Sequence, residues 1–452
     1  MNSELEIYKM NFSNTFKRFY FFKILLLTLV FFTIFQTIDA QSMDRIEKSR
    51  MKEILKDVKN KVKDNYYDPT FHGIDLEARF KKAEERLDQV TTVGQSFAVI
   101  AQVLMDFDDS HLFFIPPSTN LKVEYPWKTQ MIGDRCFVMS VKPKSDAEAK
   151  GLKVGDQILA IENFRPNRKD IWKILYYYNR MSIRETLKLT VLSPDSEQSR
   201  EIEVKSEIKK QPNVITFQSY YRLFDDFYDE ENDKNRTKTI GNILIWKMPS
   251  FGIDPADAIS YIGIAKKSSS LILDLRGNGG GYVKTLEELT GYFFDKDIHI
   301  AELKGRKKMD PQKAKSKGSQ IFEGKVIVLV DSDSGSAAEI FARVIQLEKR
   351  GIVLGDTSAG AVMQSQQLVT EMGAGNNVVT YAISITNADV IMSDGKSLEH
   401  IGVIPDETVL PSGNDLANQR DPVLARAVEL LGGKLTAEEA GKLFKYYYWK
   451  KD

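Results

Sequence analysis

The pattern of hydrophobic and polar positions divides the chain into regions of different character. In residues 43–117, apolar residues recur at helical spacing among many Lys and Glu residues, which predicts amphipathic helices. Breaks at Asp68-Pro69 and His72-Gly73 separate the first helix from the next. The predicted helices are Arg45–Val62, Leu76–Leu87 and Ser96–Met105. This region is therefore predicted to be an N-terminal helical domain.

Residues 122–206 alternate short apolar runs with turns, which predicts a small β domain. The stretch from Gly151 to Ile158 reads Gly-Leu-Lys-Val-Gly-Asp-Gln-Ile and resembles a characteristic stretch of PDZ domains. The order of the elements resembles a PDZ domain as well, and the alternative is another small, half-buried β unit. The predicted elements are strands at Cys136–Val141, Leu187–Leu192 and Glu201–Val204, a turn and strand within Gly151–Ile161, and helices at Ala147–Ala149 and Ile171–Tyr178.

From residue 240 to 412, predicted strands and helices alternate, which is typical of an α/β layer. The apolar runs are short and continuous, as expected for strands that are covered on both faces. We assign residues 207–412 to this α/β core and residues 413–452 to a C-terminal helix and tail. The predicted strands are Asn242–Trp246, Leu271–Leu275, Val326–Val330, Ile352–Leu354 and Ala382–Ile385, and the predicted helices are Tyr282–Phe294, Ala337–Leu347 and Pro422–Leu431.

The N-terminus predicts export. Basic residues up to Lys23 precede the apolar run Ile24–Phe35, and the small residue Ala40 follows a short polar stretch. This order is typical of a signal peptide, residues 1–40, cleaved after Ala40. The run is shorter than the roughly 20 residues that a spanning helix needs, so no integral span is expected after cleavage; an uncleaved anchor is the alternative. The mature protein is expected in the periplasm, outside the cell or at the cell envelope.

Composition narrows the possible chemistry. Lys plus Arg and Asp plus Glu balance at 63 each, and no basic face indicates nucleic-acid binding. The single cysteine, Cys136, cannot form an intramolecular disulfide and is interpreted as a small core residue. The four histidines are dispersed, without HExxH or CxxC spacing, so we predict neither a metal site nor a cofactor.

Three segments could carry chemistry. Ser336 follows an apolar strand and opens a helix, at the carboxyl end of a predicted sheet, where α/β folds bind ligands. Arg276–Gly281 fails the dinucleotide and P-loop patterns, so its glycines predict a backbone bend whose N–H groups could form an oxyanion hole. His111 could be the base that a serine nucleophile requires. Taken singly, each has an ordinary alternative: a helix cap, a tight turn and a structural histidine.

Together these segments resemble the tail-specific, or C-terminal-processing, serine peptidases over residues ~45–432. The resemblance rests on the order and spacing of short motifs rather than on any one of them. It implies a crotonase-like α/β catalytic core. The matching pieces are Tyr66-Tyr-Asp-Pro-Thr70, Asp109-Ser-His-Leu112, the PDZ-like stretch Gly151–Ile161, Leu273-Asp-Leu-Arg-Gly-Asn-Gly-Gly-Gly281, Ser334-Gly-Ser-Ala-Ala-Glu339, Gly355-Asp-Thr-Ser-Ala-Gly360 and Gly402-Val-Ile-Pro-Asp406.

The chain departs from one branch of that family. The Ser–Lys branch carries its lysine in a Gly-Lys-Gly stretch, where this chain reads Gly360-Ala361-Val362, and Lys349 is expected to point elsewhere. The Ser110-His111 pair instead resembles the tricorn-like branch. That resemblance implies Ser336 as nucleophile, His111 as general base, and a glutamate acting through Ser110. The glutamate candidates are Glu399 and, in reserve, Glu407, and the implied oxyanion hole consists of Gly279, Gly280 and the Ala337 N–H.

The expected function is therefore that of an exported serine endopeptidase working through an acyl-enzyme. Its PDZ-like domain would bind the C-terminal segment of a protein or peptide substrate as an added strand. Self-association is possible, as in proteins that resemble this one. A catalytically inactive peptide-binding protein or scaffold of the same fold is the alternative, supported by the missing lysine, and an apolar-ligand carrier is a third, without direct support.

Overall fold

A computed structural model describes residues 43–117, 121–181, 184–210, 235–373 and 378–444. The predicted signal peptide, residues 1–40, and the basic-aromatic tail Lys445–Lys451 lie outside the described residues. Within the described part, no helix combines the length and the apolar character needed to cross a membrane. The fold is mixed α/β, in agreement with the predicted class.

The centre of the molecule is a six-stranded sheet with helices on both faces. Five strands are parallel, and β9 at the edge is antiparallel, giving the order β18-β15-β14-β11-β10-β9. All five residues of β10 and of β11 are buried, which explains the apolar runs Ile243–Trp246 and Leu271–Leu273 within them. The strands are β9 (Arg236–Ile240), β10 (Ile243–Lys247), β11 (Ser270–Asp274), β14 (Lys325–Val330), β15 (Ile352–Gly355) and β18 (Glu407–Thr408).

The helices of this part of the chain include five that contribute to the cores on the two faces of the sheet, and α9, which lies against Gly155 of the 127–205 unit. Helices α6, α7 and α8 share a hydrophobic core with one face, and α10 packs on the other. Since β11 and β14 are adjacent and parallel, the segments that follow them leave the sheet at the same edge. The helices are α6 (Pro255–Ala265), α7 (Val283–Thr290), α8 (Ala337–Leu347), α9 (Gly413–Ala417), α10 (Pro422–Leu430) and α11 (Ala437–Ala440).

A second sheet joins the N-terminal helices to this core. Its longest strand, β17, pairs with three others, and its residues Tyr381, Ile383 and Ile385 are buried among the N-terminal helices. The strands are β1 (Phe113–Ile115), β12 (Ile298–Gly305), β13 (Gln312–Ala314), β16 (Met363–Met372) and β17 (Val379–Met392). The helices are α1 (Arg45–Asn65), α2 (Leu76–Gln89) and α3 (Val93–Met105), with a 3₁₀ turn at Phe71–Gly73.

Residues 127–205 form a separate five-stranded antiparallel sheet with its own hydrophobic core, and a two-stranded ribbon of β2 with β8 adjoins it. The strands of the sheet follow one another in chain order. They are β3 (Trp127–Ile132), β4 (Arg135–Val141), β5 (Gln157–Ile161), β6 (Thr186–Leu192) and β7 (Arg200–Lys205); the ribbon is β2 (Leu121–Glu124) with β8 (Glu207–Lys210), and the helices are α4 (Asp146–Ala149) and α5 (Ile171–Tyr176).

Several predicted boundaries were wrong. The helix predicted at Tyr282–Phe294 ends at Thr290, because Gly291 packs directly on Lys315: a Cβ there would lie 2.1 Å from the Lys315 carbonyl oxygen. The strand predicted at Ala382–Ile385 is part of a 14-residue strand whose middle is buried on both faces, which obscures the alternation. Strand β1 lies at the end of residues 43–117, a region in which only helices were predicted.

Candidate active site

Ser336 lies between β14 and α8, at the edge of the central sheet where β11 also ends. Its backbone has φ 52° and ψ −118°, a left-handed conformation that a non-glycine residue rarely adopts. The Ser336 N–H donates to the carbonyl of Ala361 at 3.0 Å and to Glu339 Oε2 at 3.0 Å. These bonds hold the serine in a strained turn at the start of a helix.

The glycine loop after β11 packs against this turn. A Cβ on Gly280 would lie 2.6 Å from the Cβ of Ser336 and 3.0 Å from the Ala337 nitrogen, so only glycine fits there. Asn278, which is fully buried, connects the two loops: its backbone carbonyl accepts from the Gly335 N–H at 2.8 Å, and its side-chain amide donates to the Met248 carbonyl at 2.9 Å.

The predicted oxyanion hole needs one adjustment. The Gly280 N–H donates to Asn278 Oδ1 at 2.9 Å and is therefore not free to receive an oxyanion in this arrangement. Among the described residues, the N–H groups of Gly279 and Ala337 have no protein acceptor. Gly280 thus allows the close approach of the two loops and a backbone bend at φ 102°. The N–H groups of Gly279 and Ala337 remain the candidate oxyanion donors.

His111, Ser110 and Glu399 form a hydrogen-bonded chain. Ser110 Oγ donates to Glu399 Oε2 at 2.9 Å and lies 2.8 Å from His111 Nδ1. Because the single hydroxyl proton is directed at the carboxylate, Ser110 Oγ accepts from an Nδ1–H of the neutral ring. That tautomer leaves the Nε2 lone pair free, as a general base requires. A hydrogen bond from Ser336 Oγ to His111 is not formed between these two described residues.

Two further contacts fix Glu399. The Ser110 N–H donates to its Oε1 at 2.9 Å and the Val362 N–H to its Oε2 at 2.8 Å. Since Ala361 bonds the Ser336 N–H, the segment Ala361-Val362 links the nucleophile turn directly to the histidine chain. Glu407, the reserve candidate, pairs instead with Arg426 at 2.7 Å and does not join Ser110.

Burial sets the protonation of these groups. Desolvation lowers the pKa of His111 below its ordinary value, and the negative charge of Asp109 partly opposes that shift. Desolvation also raises the pKa of Glu399, while the donated bonds from Ser110 and Val362 oppose the rise. The site thus favours a neutral imidazole, which is the form that can take a proton.

Family comparisons agree with this geometry. Residues 240–409, which include the glycine loop, Ser336 and Glu399, match the model of peptidase family S41. This part of the chain is therefore similar to peptidase family S41. Residues 49–104 match the model of the tricorn protease C1 domain. The matches of this region to a peptidase family and to carboxyl-terminal-processing proteases indicate a serine-type peptidase, which is a hydrolase.

Individual relatives agree with this assignment. The chain is 25% identical over 311 residues to the tail-specific protease of Haemophilus influenzae, covering 65% of this chain and 42% of that protein. It is 23% identical over 333 residues to the carboxyl-terminal-processing protease of Picosynechococcus sp., covering 70% of this chain and 74% of that protein. The chain thus spans less than half of the first relative and about three quarters of the second.

A solved structure matches the fold. The crystal structure of mature CPAF aligns with a TM-score of 0.62 at 14% identity, covering 82% of this chain and 94% of that one. At this level of identity, the match supports the fold alone.

The region that matches the S41 model contains a buried carboxylate that the sequence did not reveal. Glu339, three residues after Ser336, is fully buried and accepts from the Ser358 hydroxyl at 2.5 Å and from the N–H groups of Gly360 at 2.7 Å and Ala361 at 3.0 Å, besides that of Ser336. Burial raises the pKa of Glu339 to about 7, and the four donors oppose this rise. Glu339 therefore ties the nucleophile turn to the segment 358–361.

The remaining predicted features are placed elsewhere. Lys349 follows the end of α8 and takes no part in the network described above. Cys136 is buried on β4, where burial raises the pKa of its thiol to about 11, in keeping with its interpretation as a core residue. No group of metal-binding side chains occurs among the described residues.

Proposed function

We propose that this protein is an exported serine endopeptidase in which Ser336 is the nucleophile and His111 the general base. The observation that carries the proposal is the chain Glu399–Ser110–His111, joined through Ala361-Val362 to the turn that holds Ser336. A serine hydroxyl needs such a base near neutral pH. Catalytic hydrogen bonds are often long before substrate binds, so closure of the gap between Ser336 and His111 is expected on binding.

In the proposed reaction, Ser336 Oγ attacks the scissile carbonyl while His111 Nε2 takes the hydroxyl proton. The oxyanion is stabilised by the N–H groups of Gly279 and Ala337. His111 then donates its proton to the leaving amine, the C–N bond breaks, and an acyl-enzyme remains. Water, deprotonated by His111, releases the acyl group and restores the serine. Glu399, through Ser110, keeps the imidazole in the required tautomer and stabilises its charged form.

We further propose that the substrate is a protein or peptide whose C-terminal segment binds the unit at residues 127–205. Strand β3 is at the edge of its sheet, so its outer side can accept an added strand. The names of the two curated relatives, tail-specific and carboxyl-terminal-processing proteases, support this substrate class. A peptide that ends in a free carboxylate should bind more tightly than its amide, as measured by fluorescence anisotropy with Ser336→Ala.

A fluorophosphonate probe tests the catalytic proposal. Mapping of the adduct should find Ser336 labelled in the wild type and labelling lost in His111→Ala. Ser332→Ala is the matched control, since this nearby serine bonds the Met131 carbonyl and should not affect labelling. An unlabelled wild type that still binds peptide would contradict the proposal and favour the inactive binding protein.

A further inference from the structure

A second buried carboxylate, Asp109, contacts the histidine segment separately from Glu399. Asp109 is only 2% exposed. Its Oδ1 accepts from the His111 N–H at 2.9 Å and from Thr386 Oγ1 at 2.6 Å, and its Oδ2 accepts from the Tyr66 hydroxyl at 2.9 Å. Three distant segments therefore converge on one carboxylate: the residue after α1, the loop after α3, and β17.

The side-chain partners of Asp109 are buried hydroxyl donors. Tyr66 and Thr386 are both fully buried, and each directs a hydroxyl at the carboxylate. Burial and the charge of Asp109 raise the pKa of Tyr66, which keeps its hydroxyl protonated and donating. The three hydrogen bonds hold the Asp109 carboxylate in a fixed position beside His111.

The charge of Asp109 affects the Glu399–Ser110–His111 chain. Desolvation lowers the pKa of His111, and Asp109 raises it, whereas the same charge adds to the raised pKa of Glu399. Removing the negative charge would leave the desolvation of the imidazole unopposed. Since the Asp109 contact is to the backbone of His111 and not to its ring, the effect on the ring is through charge and position.

We propose that Asp109 is a positioning residue that fixes the backbone of His111 and sustains the basicity of its ring. The inference rests on the proposed function, and it adds a second carboxylate to the Glu399–Ser110–His111 chain. The titratable groups around this pair are Glu399 and the adjacent His400, Tyr66, Tyr67 and Asp68 beyond α1, and Asp389 on β17.

The test is Asp109→Asn, which retains an oxygen for the His111 N–H and Thr386 but removes the charge. NMR titration of ¹³C-labelled histidine should show the His111 midpoint moved to lower pH by about one unit. The acid limb of kcat/KM should move in the same direction, and the plateau should fall by up to about tenfold, because a base weaker by one unit loses at most that factor. Asp109→Ser provides a second neutral variant if Asn does not fold.

Two comparisons separate charge from structure. Thr386→Val removes a donor and keeps the charge, so it should not lower the His111 midpoint. Asp68→Asn makes the same change at a carboxylate that bonds the backbone and hydroxyl of Thr70, and it should leave the His111 midpoint unchanged. An unshifted midpoint in both Asp109 variants, or equal shifts in Asp109→Asn and Thr386→Val, would overturn the inference. Because NMR does not depend on turnover, a failure of the proposed peptidase activity would be seen separately, as an unlabelled Ser336.

Discussion

The two halves of the candidate site are built differently. The Ser336 half comes from two neighbouring parallel strands of one domain, and its loops bond each other through Asn278 and Glu339. The His111 half joins residues 289 positions apart, since Ser110 lies in the N-terminal region and Glu399 near the end of the region that matches the S41 model. The Ser336 half is part of the folding core, whereas the His111 half is a contact between two distant regions of the chain. Changes in the first should cost stability, and changes in the second should mainly cost activity.

The foundation of the Ser336 half is a buried ion network, and breaking it should have the largest effect. Arg276 donates to both Asp274 oxygens, at 2.9 Å and 2.8 Å, and also to Asp421, the N-cap of α10. Arg276→Met would remove one of the two cations that pair with the buried Asp274, leaving Lys247 at 3.3 Å, and it would also remove the arginine partner of Asp421. The expected loss of unfolding free energy is about 3 kcal/mol. Urea denaturation followed by tryptophan fluorescence measures it.

The matched control is Arg426→Met, at a partly exposed arginine that pairs with Glu407 and Glu429. The same substitution there should change stability little, because surface ion pairs contribute little. Similar losses of unfolding free energy in the two variants would show that the buried ion network contributes no more to stability than a surface ion pair.

The pH dependence of stability tests Glu339. Its pKa is raised from 4.5 to about 7, so its contribution is present below about pH 4.5 and is lost as pH rises towards 7. A shift of about 2.5 units corresponds to an upper limit of about 3 kcal/mol. The stability difference between wild type and Glu339→Gln should therefore narrow over this range, as measured by thermal unfolding at each pH. The exposed Glu438→Gln is the control.

The opposite result has a definite meaning. A difference that widens with rising pH would indicate that the four donors outweigh desolvation and hold Glu339 as an anion. In that case Glu339 would be a fixed charge beneath the nucleophile turn.

The sequence predicted the two halves of the site unequally. The apolar strand before Ser336 and the amphipathic helix after it are local patterns, and α8 was predicted at Ala337–Leu347, its bounds in the structure. The contact of Ser110 with Glu399 is not local, and it was expected only through resemblance to a family.

Glu339, Asn278 and Asp109 were missed for a common reason. Glu339 has the sequence context of an ordinary acidic residue in the first turn of a helix. Its burial arises only when the segment 358–361 folds over it, and Asp109 is enclosed only by Tyr66 and Thr386. Polar residues that become buried by tertiary contacts have no periodic signal in the sequence. The polar strand β16, with Gln364, Gln366 and Gln367, was missed likewise.

Glu399→Gln tests whether the His111 half of the site affects activity rather than stability. The amide keeps the size of the side chain but replaces one carboxylate oxygen with an NH₂ group. In one orientation this NH₂ group faces the Ser110 N–H, and in the other it faces the Ser110 hydroxyl and the Val362 N–H. Either orientation places donor against donor and disturbs the hydrogen bonds that fix the His111 tautomer. The glutamate contacts His111 only through Ser110, so we expect kcat to fall by about 10²-fold, less than where a carboxylate bonds the imidazole directly. Glu407→Gln, with its side chain on Arg426, should keep kcat unchanged. If Glu399→Gln lowered stability as much as Arg276→Met, the His111 half would also belong to the folding core, and the two halves would not differ in this way. Equal kcat values for Glu399→Gln and Glu407→Gln would show that Glu399 is not part of the site.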